Sequence, residues 1–368
     1  MKLVADINIP YLKGVLEPFF DKVVYLPGNL INRDTVHNAD ALLIRTRTHC
    51  NANLLEGSTV KFIGSATIGY DHIDTDFCNS RGIEWVNAPG CNSGAVQQWV
   101  AASLLHISKT KGINLKDKTL GIVGVGNVGK KVVEVGKALE MKVVCCDPPR
   151  KRDELIKEFV DLKTIAQQSD FITLHVPLAY EGVDATYHLI DQEFINQIKK
   201  GSILLNSSRG EVVNTQTLIK AIKGKLISAV ALDVWESEPD ISIELLKQVN
   251  IATPHIAGYS LEGKVNGTQM VIDALSRFFN LGIHPWTPEQ NPLVKKDLIH
   301  NPKSIPEAIE MSYDIMGDDC LLRNTQYQFE SIRSDYRFRR EFSGFIVNDA
   351  DESLKERLLK LGFAINNR

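Results

Sequence analysis

Residues 119–129 read Thr119-Leu120-Gly121-Ile122-Val123-Gly124-Val125-Gly126-Asn127-Val128-Gly129, and this stretch decides the fold. The apolar run 119–123 predicts a buried strand, and the spacing over 131–139 predicts a helix. Between them Gly124, Gly126 and Gly129 form a G-x-G-x-x-G. The first glycine makes a tight turn. The second lets the backbone approach a pyrophosphate at the helix N-terminus, and the third permits close helix–strand packing. A second apolar run, 142–146, ends at Asp147, 18 residues beyond Gly129. A carboxylate there accepts hydrogen bonds from the ribose hydroxyls of NAD and repels the 2′-phosphate of NADP. Taken alone, the pattern is also that of a tight turn with an Asp ahead of Pro148-Pro149. Arg150 and Lys151 stand where basic side chains can welcome a 2′-phosphate. Strand, loop, helix, strand and acid in this order favour NAD.

Working outward, further strands are predicted at 171–174, 203–206, 227–232 and 250–253. With the first two they suit a complete Rossmann-type doubly wound parallel sheet. Upstream, short apolar runs at 2–5, 22–26, 41–44, 60–64 and 83–86 alternate with helix-like segments at 11–20, 51–56 and 74–81, which implies a second, mostly parallel sheet. Long helices are predicted at 93–111 and 260–281. Pro285, Pro288 and Pro292 then mark a linker. Beyond it, helical segments at 306–316, 321–336 and 352–361 flank two short strands, 344–347 and 363–366. The expected α/β architecture is a cofactor domain (residues 95–258) inserted in a flavodoxin-like substrate-binding domain (1–94 and 259–285), with a small α+β C-terminal domain (286–368). The two long helices would be the crossings, and the site would lie in the interdomain cleft.

Composition narrows the function. The chain of 368 residues carries 42 Lys+Arg and 45 Asp+Glu, a formal charge of −3, which offers no global attraction to nucleic acid or to an anionic membrane. No apolar run is long enough to span a bilayer, and the N-terminus lacks the h-region of a signal peptide. The six cysteines are scattered, with no C-x-x-C pair and no metal-like cluster. They read as small buried hydrophobes in a reducing cytoplasm.

Three charged residues close the ends of late strands, where ligands bind in open α/β sheets. Arg209 lies in Asn206-Ser207-Ser208-Arg209-Gly210, Glu238 in Asp233-Val234-Trp235-Glu236-Ser237-Glu238-Pro239, and His255 in Thr253-Pro254-His255-Ile256-Ala257-Gly258. Singly, each is as well explained by a surface ion pair, a turn residue or a structural histidine. Together, behind a dinucleotide loop, they suit oxidation of a 2-hydroxy acid. Arg presents a planar fork to a carboxylate, His takes the hydroxyl proton, and Glu fixes the imidazole tautomer.

At these residues the sequence resembles the D-isomer-specific 2-hydroxyacid dehydrogenases over roughly residues 1–285. Narrower signals are Ala88-Pro89-Gly90-Cys91-Asn92, Cys146-Asp147-Pro148-Pro149-Arg150 and His255-Ile256-Ala257-Gly258-Tyr259-Ser260-Leu261-Glu262-Gly263-Lys264. The resemblance implies a catalytic set of Arg209, Glu238 and His255. It implies NAD contacts from Gly124, Gly126, Asn127, Val128, Gly129, Asp147, Asp233 and Gly258, and substrate contacts from Thr46, Thr67 and Tyr259. It further implies a phosphorylated 2-hydroxy acid as substrate and a C-terminal homodimerisation domain. Such a substrate needs two anion receptors. Arg209 can serve the carboxylate, while Arg45 and Arg47 are candidates for the phosphate, although the same pair also suits a solvated turn. Tyr259 is placed to donate a hydroxyl.

Some positions depart from the family pattern. Gln98 stands where many relatives have Glu, and it is expected to pack or hydrogen-bond near the hinge. Val176 replaces a hydroxyl residue, so a cofactor contact there would use only its backbone. His175 reads as structural or cofactor-flanking, and His72 as a helix-start residue. Arg333, Arg337, Arg339 and Arg340, among Tyr336 and Phe338, suggest an ion-paired dimer interface better than a nucleic-acid site. A phosphoglycerate dehydrogenase and an NAD-sensing corepressor of the same fold are the competing readings.

Overall fold

The computed structural model describes residues 1–288, 291–337 and 339–366, so Phe338 of the arginine run lies outside the described residues. The chain divides into two units: residues 1–92 with 260–295, and residues 93–259 with 296–368.

The first unit is built on five parallel strands: β1 (Lys2–Asp6), β2 (Lys22–Leu26), β3 (Ala41–Ile44), β4 (Phe62–Ser65) and β5 (Glu84–Val86). Their order, β2-β1-β3-β4-β5, is that of flavodoxin-like sheets. Side chains alternate between the faces. Leu3, Ala5, Leu43 and Phe62 pack with Val271, Ile272 and Leu275 of the helix Leu261–Phe279. Val4, Leu42, Ile44 and Ile63 pack with Leu54, Leu55 and Cys78 on the other side. Gly64 is where that long helix comes closest: a Cβ there would stand 2.7 Å from Leu43 Cδ2 and 3.3 Å from Val271 Cβ.

Segment 11–20 is a run of turns, not the expected helix. Pro18 lacks an N–H, and Tyr11 and Gly14 take positive φ of 60° and 89°. Its apolar residues Leu12, Leu16 and Phe20 are nonetheless buried. Helical spacing here reflects burial of a compact loop.

In the second unit six parallel strands, β6 (Thr119–Val123), β7 (Lys142–Cys146), β8 (Phe171–Leu174), β9 (Ser202–Asn206), β10 (Ile227–Leu232) and β11 (Ile251–Ala252), lie in the order β11-β10-β9-β8-β6-β7. The sheet is doubly wound, and its order reverses between β6 and β8. A single bond from Val160 N–H to Cys145 O (2.9 Å) extends it beyond β7.

Residues 296–368 form a subdomain within the second unit. Three parallel strands, β12 (Asp297–His300), β13 (Phe345–Asn348) and β14 (Ala364–Ile365), make its sheet. The sequence reading lacked β12, because Asp297-Leu298-Ile299-His300 has one buried residue and little apolar signal. The expected helix 306–316 ends at Ser312, where Tyr313 is extended and Asp314 caps a new helix, Ile315–Asn324. The expected 321–336 helix is likewise split, and only Phe329–Ser334 forms its later part.

This domain packs into both faces of the cofactor sheet's surroundings. Ile305, Ala308, Phe342 and Leu358 join the core that contains Trp99, Leu120 and Val132. Leu322, Phe329 and Ile332 join the core with Leu204, Leu232 and Leu245. Helix Ser93–Lys111 is therefore buried nearly all round, including Gln97, Gln98 and Ser103. Helix 315–324 also covers the sheet edge: Asp319 accepts the Ala252 N–H at 2.7 Å, and Arg323 donates to the carbonyls of Leu246 (2.6 Å) and Val249 (3.0 Å). An edge strand left open would invite pairing with another chain.

Candidate active site

The glycine loop joins β6 to helix Asn127–Ala138. Gly124 has φ +84°, and a Cβ on it would overlap the His175 carbonyl; one on Gly129 would overlap the Gly124 carbonyl. These two glycines are dictated by the protein's own packing. Gly126 is different. Its φ is −77°, and nothing lies within 4 Å of where its Cβ would be. Among the described residues no atom requires glycine here, and the open space over a helix start without a side-chain cap fits a pyrophosphate. Asn127 and Val128 are the first residues of that helix, so their N–H groups are among its unbonded donors.

Asp147 is buried and caps the short helix Pro148–Asp153, with Oδ1 accepting from Arg150 N–H (3.1 Å) and Oδ2 from Val125 N–H (2.8 Å). A carboxylate has lone pairs beyond these two for ribose hydroxyls. Arg150, which could have favoured NADP, is committed elsewhere. Its Nε and Nη2 donate to Glu154 at 2.6 and 2.5 Å, and its Nη1 donates to Val125 O at 2.6 Å. The residues present therefore fit NAD. Val176 stands against the loop, its Cγ1 3.0 Å from a Cβ on Gly124. His175 bonds Thr173 Oγ1 at 3.0 Å. Although the residue keeps some exposure, desolvation of the ring lowers its pKa far below the histidine range, so it stays neutral near pH 7.

Arg209, Glu238 and His255 follow β9, β10 and β11, which are neighbours in the sheet. Glu238 and His255 meet directly: Oε2 lies 2.7 Å from His255 Nδ1, while Oε1 accepts the Trp235 N–H at 2.9 Å. This leaves Nε2 of a side chain that is 31% exposed. Burial alone would raise the Glu238 carboxyl. His255, the Trp235 N–H and Arg333 outweigh it and hold the group below its usual range. Arg209 Nη1 donates to Ser208 O at 2.8 Å, and Asn206 Nδ2 holds the Arg209 carbonyl at 2.9 Å. Gly210 brings this turn against the next one, because a Cβ on it would overlap the backbone of Trp235.

His255 has φ +57°, a left-handed conformation rare outside glycine. Asp233, 1% exposed, explains how it is held. Oδ1 accepts from Thr253 Oγ1 (2.6 Å) and Ile256 N–H (2.8 Å), Oδ2 from Ala257 N–H (2.9 Å), and the Asp233 carbonyl accepts the His255 N–H (2.7 Å). Desolvation raises this carboxyl in spite of those donors. Asp233, expected as a cofactor contact, uses its side chain to hold the His255 turn. Gly258 lies in the same turn, closed by Tyr259 N–H to Ile256 O at 2.8 Å. Glu236 anchors the Glu238 loop, lying 2.6 Å from His188 Nε2 and accepting the Thr215 N–H at 3.0 Å.

In the first unit the candidates also follow neighbouring strands. Arg45, Thr46 and Arg47 come after β3, with Thr46 and Arg47 exposed and Arg45 Nη1 donating to Asn8 O at 3.3 Å. Thr67 follows β4, its hydroxyl 2.7 Å from Ser65 Oγ and 3.1 Å from Gly69 O. His72 is not a helix-start residue. The helix begins at Thr75, and His72 is buried with Nε2 3.0 Å from Ser65 Oγ, bracing Thr67 from beneath. Lys264, in the first turn of helix 261–279, is a further candidate that no strand-end position in the sequence signals. Burial and the charge of Arg45 push its amino group down to about 8. Sequence order could not reveal that convergence, because 219 residues separate the two.

The expected dimer-interface role of the arginine run is corrected in part. Arg339 is buried within the chain, and Arg333 lies beside Glu238, Nη1 to Oε2 3.9 Å. Arg337 is exposed. Gln98 is fully buried and accepts from Arg339 Nε at 3.1 Å, so its partner comes from the C-terminal domain. All six cysteines are free thiols; Cys320 is exposed and Cys145 half-buried, contrary to the expectation that all are buried. Among the described residues, no helix is long and apolar enough to cross a membrane.

Sheet, glycine loop and strand-end residues together are those of an NAD-dependent dehydrogenase. The family model for the NAD-binding domain of D-isomer specific 2-hydroxyacid dehydrogenases matches residues 92–257, and a model for a domain of unknown function matches residues 288–362. Solved relatives include a D-lactate dehydrogenase from Aquifex aeolicus, complexed with NAD and lactic acid (25% identity, TM-score 0.63, 77% of this chain and 97% of that one). Another is an NAD+-bound 3-phosphoglycerate dehydrogenase from Entamoeba histolytica (26%, TM-score 0.64, 79% and 99%). Erythronate-4-phosphate dehydrogenases are more similar in sequence: that of Bacteroides fragilis is 47% identical over 348 residues (94% of this chain, 99% of the relative), and that of Escherichia coli O127:H6 is 39% identical over 371 (99% and 98%). The chain belongs to the erythronate-4-phosphate dehydrogenase family.

Proposed function

We propose that this protein oxidises 4-phospho-D-erythronate to 2-oxo-3-hydroxy-4-phosphobutanoate, a step of pyridoxal 5′-phosphate biosynthesis, in the cytoplasm. The observation that carries the chemistry is the 2.7 Å pairing of Glu238 with His255 Nδ1. Bound NAD supplies the hydride acceptor. His255 Nε2 takes the proton of the C2 hydroxyl as the C2 hydrogen departs. Glu238 keeps Nδ1 protonated and stabilises the imidazolium that forms. Arg209 binds the carboxylate and polarises the C2 oxygen. Asp147 and the glycine loop hold the cofactor.

The phosphate falls to Arg45 and Arg47, with Thr46 and Thr67 as further substrate contacts and Tyr259 as a hydroxyl donor. Charge supports this reading: burial and the nearby Arg45 cation disfavour the charged form of Lys264 within the first unit, and a bound anion would favour it. A homodimer formed through the C-terminal domain is part of the same proposal. Exposed Leu298, Met311, Leu321, Tyr327 and Leu359 support it, as does the exposed Arg337.

The substrate is tested by comparing 4-phospho-D-erythronate with its dephosphorylated acid and with 3-phospho-D-glycerate. The phosphorylated four-carbon acid should have the highest kcat/KM, and Arg45→Ala should raise its KM far more than that of D-erythronate. Equal effects on the two acids would overturn the phosphate assignment, and faster turnover of 3-phospho-D-glycerate would overturn the substrate.

A further inference from the structure

The turn carrying His255 is gripped from two sides. Asp233 takes the N–H groups of Ile256 and Ala257. The carbonyls of the same two residues accept from Arg339 of the C-terminal domain, Nη1 to Ile256 O at 2.8 Å and Nη2 to Ala257 O. Arg339 has further partners in Ala95 O (Nη2, 3.0 Å) and Gln98 Oε1 (Nε, 3.1 Å), and its guanidinium lies over the Tyr313 ring at 4.5 Å. The residue is 8% exposed. Only a rigid five-donor fork matches such a set of acceptors.

Its surroundings are built to the same end. Asp318 accepts from the hydroxyls of Tyr313 (2.7 Å) and Tyr336 (2.6 Å), and the Tyr336 ring meets the edge of Tyr259 at 6.1 Å. Three residues before Tyr336, Arg333 brings Nη1 within 3.9 Å of Glu238 Oε2 and 3.3 Å of Glu330. Its Nε is buried with no hydrogen-bond partner among the described residues. The C-terminal segment therefore contacts Ile256, Ala257, Tyr259 and Glu238. These are the residues that fix where His255 points, not an arbitrary patch of the cofactor domain.

We propose that the C-terminal domain is a working part of the dehydrogenase site, with Arg339 a positioning residue for the His255 turn and Arg333 one for Glu238. A left-handed histidine persists only where its surroundings over-determine it. Asp233 supplies half of that restraint and Arg339 the other half. The proposal rests on the role given to His255 above.

Arg339→Lys keeps the charge but cannot bond four acceptors, and Arg333→Met removes a guanidinium nearer the surface. Each variant is titrated with NAD by fluorescence to count cofactor bound per chain, then assayed with 4-phospho-D-erythronate. Stoichiometric NAD binding is expected, with KM for NAD within about twofold of wild type, while kcat falls roughly 10²-fold for Arg339→Lys and less for Arg333→Met, as a displaced reacting group requires. A merely structural lesion would lower the NAD stoichiometry along with the rate. Stoichiometric binding with kcat unchanged in both variants would overturn the proposal. Should Arg339→Lys fail to fold, Arg333→Met decides by the same criterion. A wild type that ignores this acid but oxidises 3-phospho-D-glycerate would overturn only the substrate, and the variants are then compared on that acid.

Discussion

The cofactor-binding segment and the C-terminal domain share one unit, yet they hold their polar residues in opposite ways. Between residues 119 and 258, the candidate site side chains follow strand ends, and short-range bonds fix them. Glu238 caps its own loop through Trp235, Asp147 caps its own helix, and Asp233 serves residues 20 to 24 positions away. In the C-terminal domain the decisive bonds cross the chain. Arg339 reaches Gln98 and Ala95, 241 and 244 positions distant, and Asp319 reaches Ala252 across 67. Short-range polar order leaves a motif in the sequence. Long-range polar order leaves only a charged residue in an otherwise ordinary helix pattern.

The sharpest way to break this contrast is His255 itself. His255→Asn should lower kcat by about 10²–10⁴-fold, the usual contribution of a proton-transferring side chain, with NAD binding retained by fluorescence titration. A loss of NAD binding would mean that the turn, and not the imidazole, had been removed. Gly210→Ala probes the packing of two short-range turns. The added Cβ must push against the Trp235 backbone, so Arg209 and Glu238 move together. A fall in kcat/KM of roughly 10²-fold is expected, with a stability loss of about 1–3 kcal/mol in urea unfolding. Asp233→Asn should cost about 1–3 kcal/mol as well, because one amide face offers N–H to a backbone N–H and leaves a buried donor unmatched. Thermal unfolding that is unchanged in this variant would mean that Arg339 alone suffices to hold the turn.

The smallest effect is on pH dependence. Because the folded protein holds Glu238 below its ordinary 4.5, that carboxylate contributes stability above this value and loses it as pH falls through the lower folded value. Glu238→Gln should therefore flatten part of the drop in Tm on the acid side of about pH 4.5. An unaltered acid profile would assign that drop to other carboxylates.

Much of the cofactor half was legible. Gly124-Val125-Gly126-Asn127-Val128-Gly129 needs a particular backbone, and an acid at the end of β7 has a particular partner, so both carry their chemistry locally. The structure sharpened these readings by dividing the glycines: Gly124 and Gly129 answer to the protein, Gly126 to open space. Segment 11–20 misled because burial of Leu12, Leu16 and Phe20 imitates helical spacing in a proline-broken loop. Strand β12 went unread because a sheet of three short strands needs little apolar content at its rim. Lys264, Gln98, Arg333 and Arg339 were unreadable as a set, since nothing in sequence order brings an arginine to the carbonyls behind His255 or a lysine to Arg45.

The central claim is that this protein moves the C2 hydrogen of a phosphorylated hydroxy acid to NAD while His255 takes the proton. Incubation of the protein with NAD and 4-phospho-D-erythronate deuterated at C2, followed by mass measurement of the reduced cofactor, tests it directly. Deuterium should appear in the reduced cofactor in step with the 2-oxo acid, and His255→Asn should show almost none over the same time. Oxidised acid without deuterium in the cofactor, or full label transfer by His255→Asn at the wild-type rate, would contradict the account.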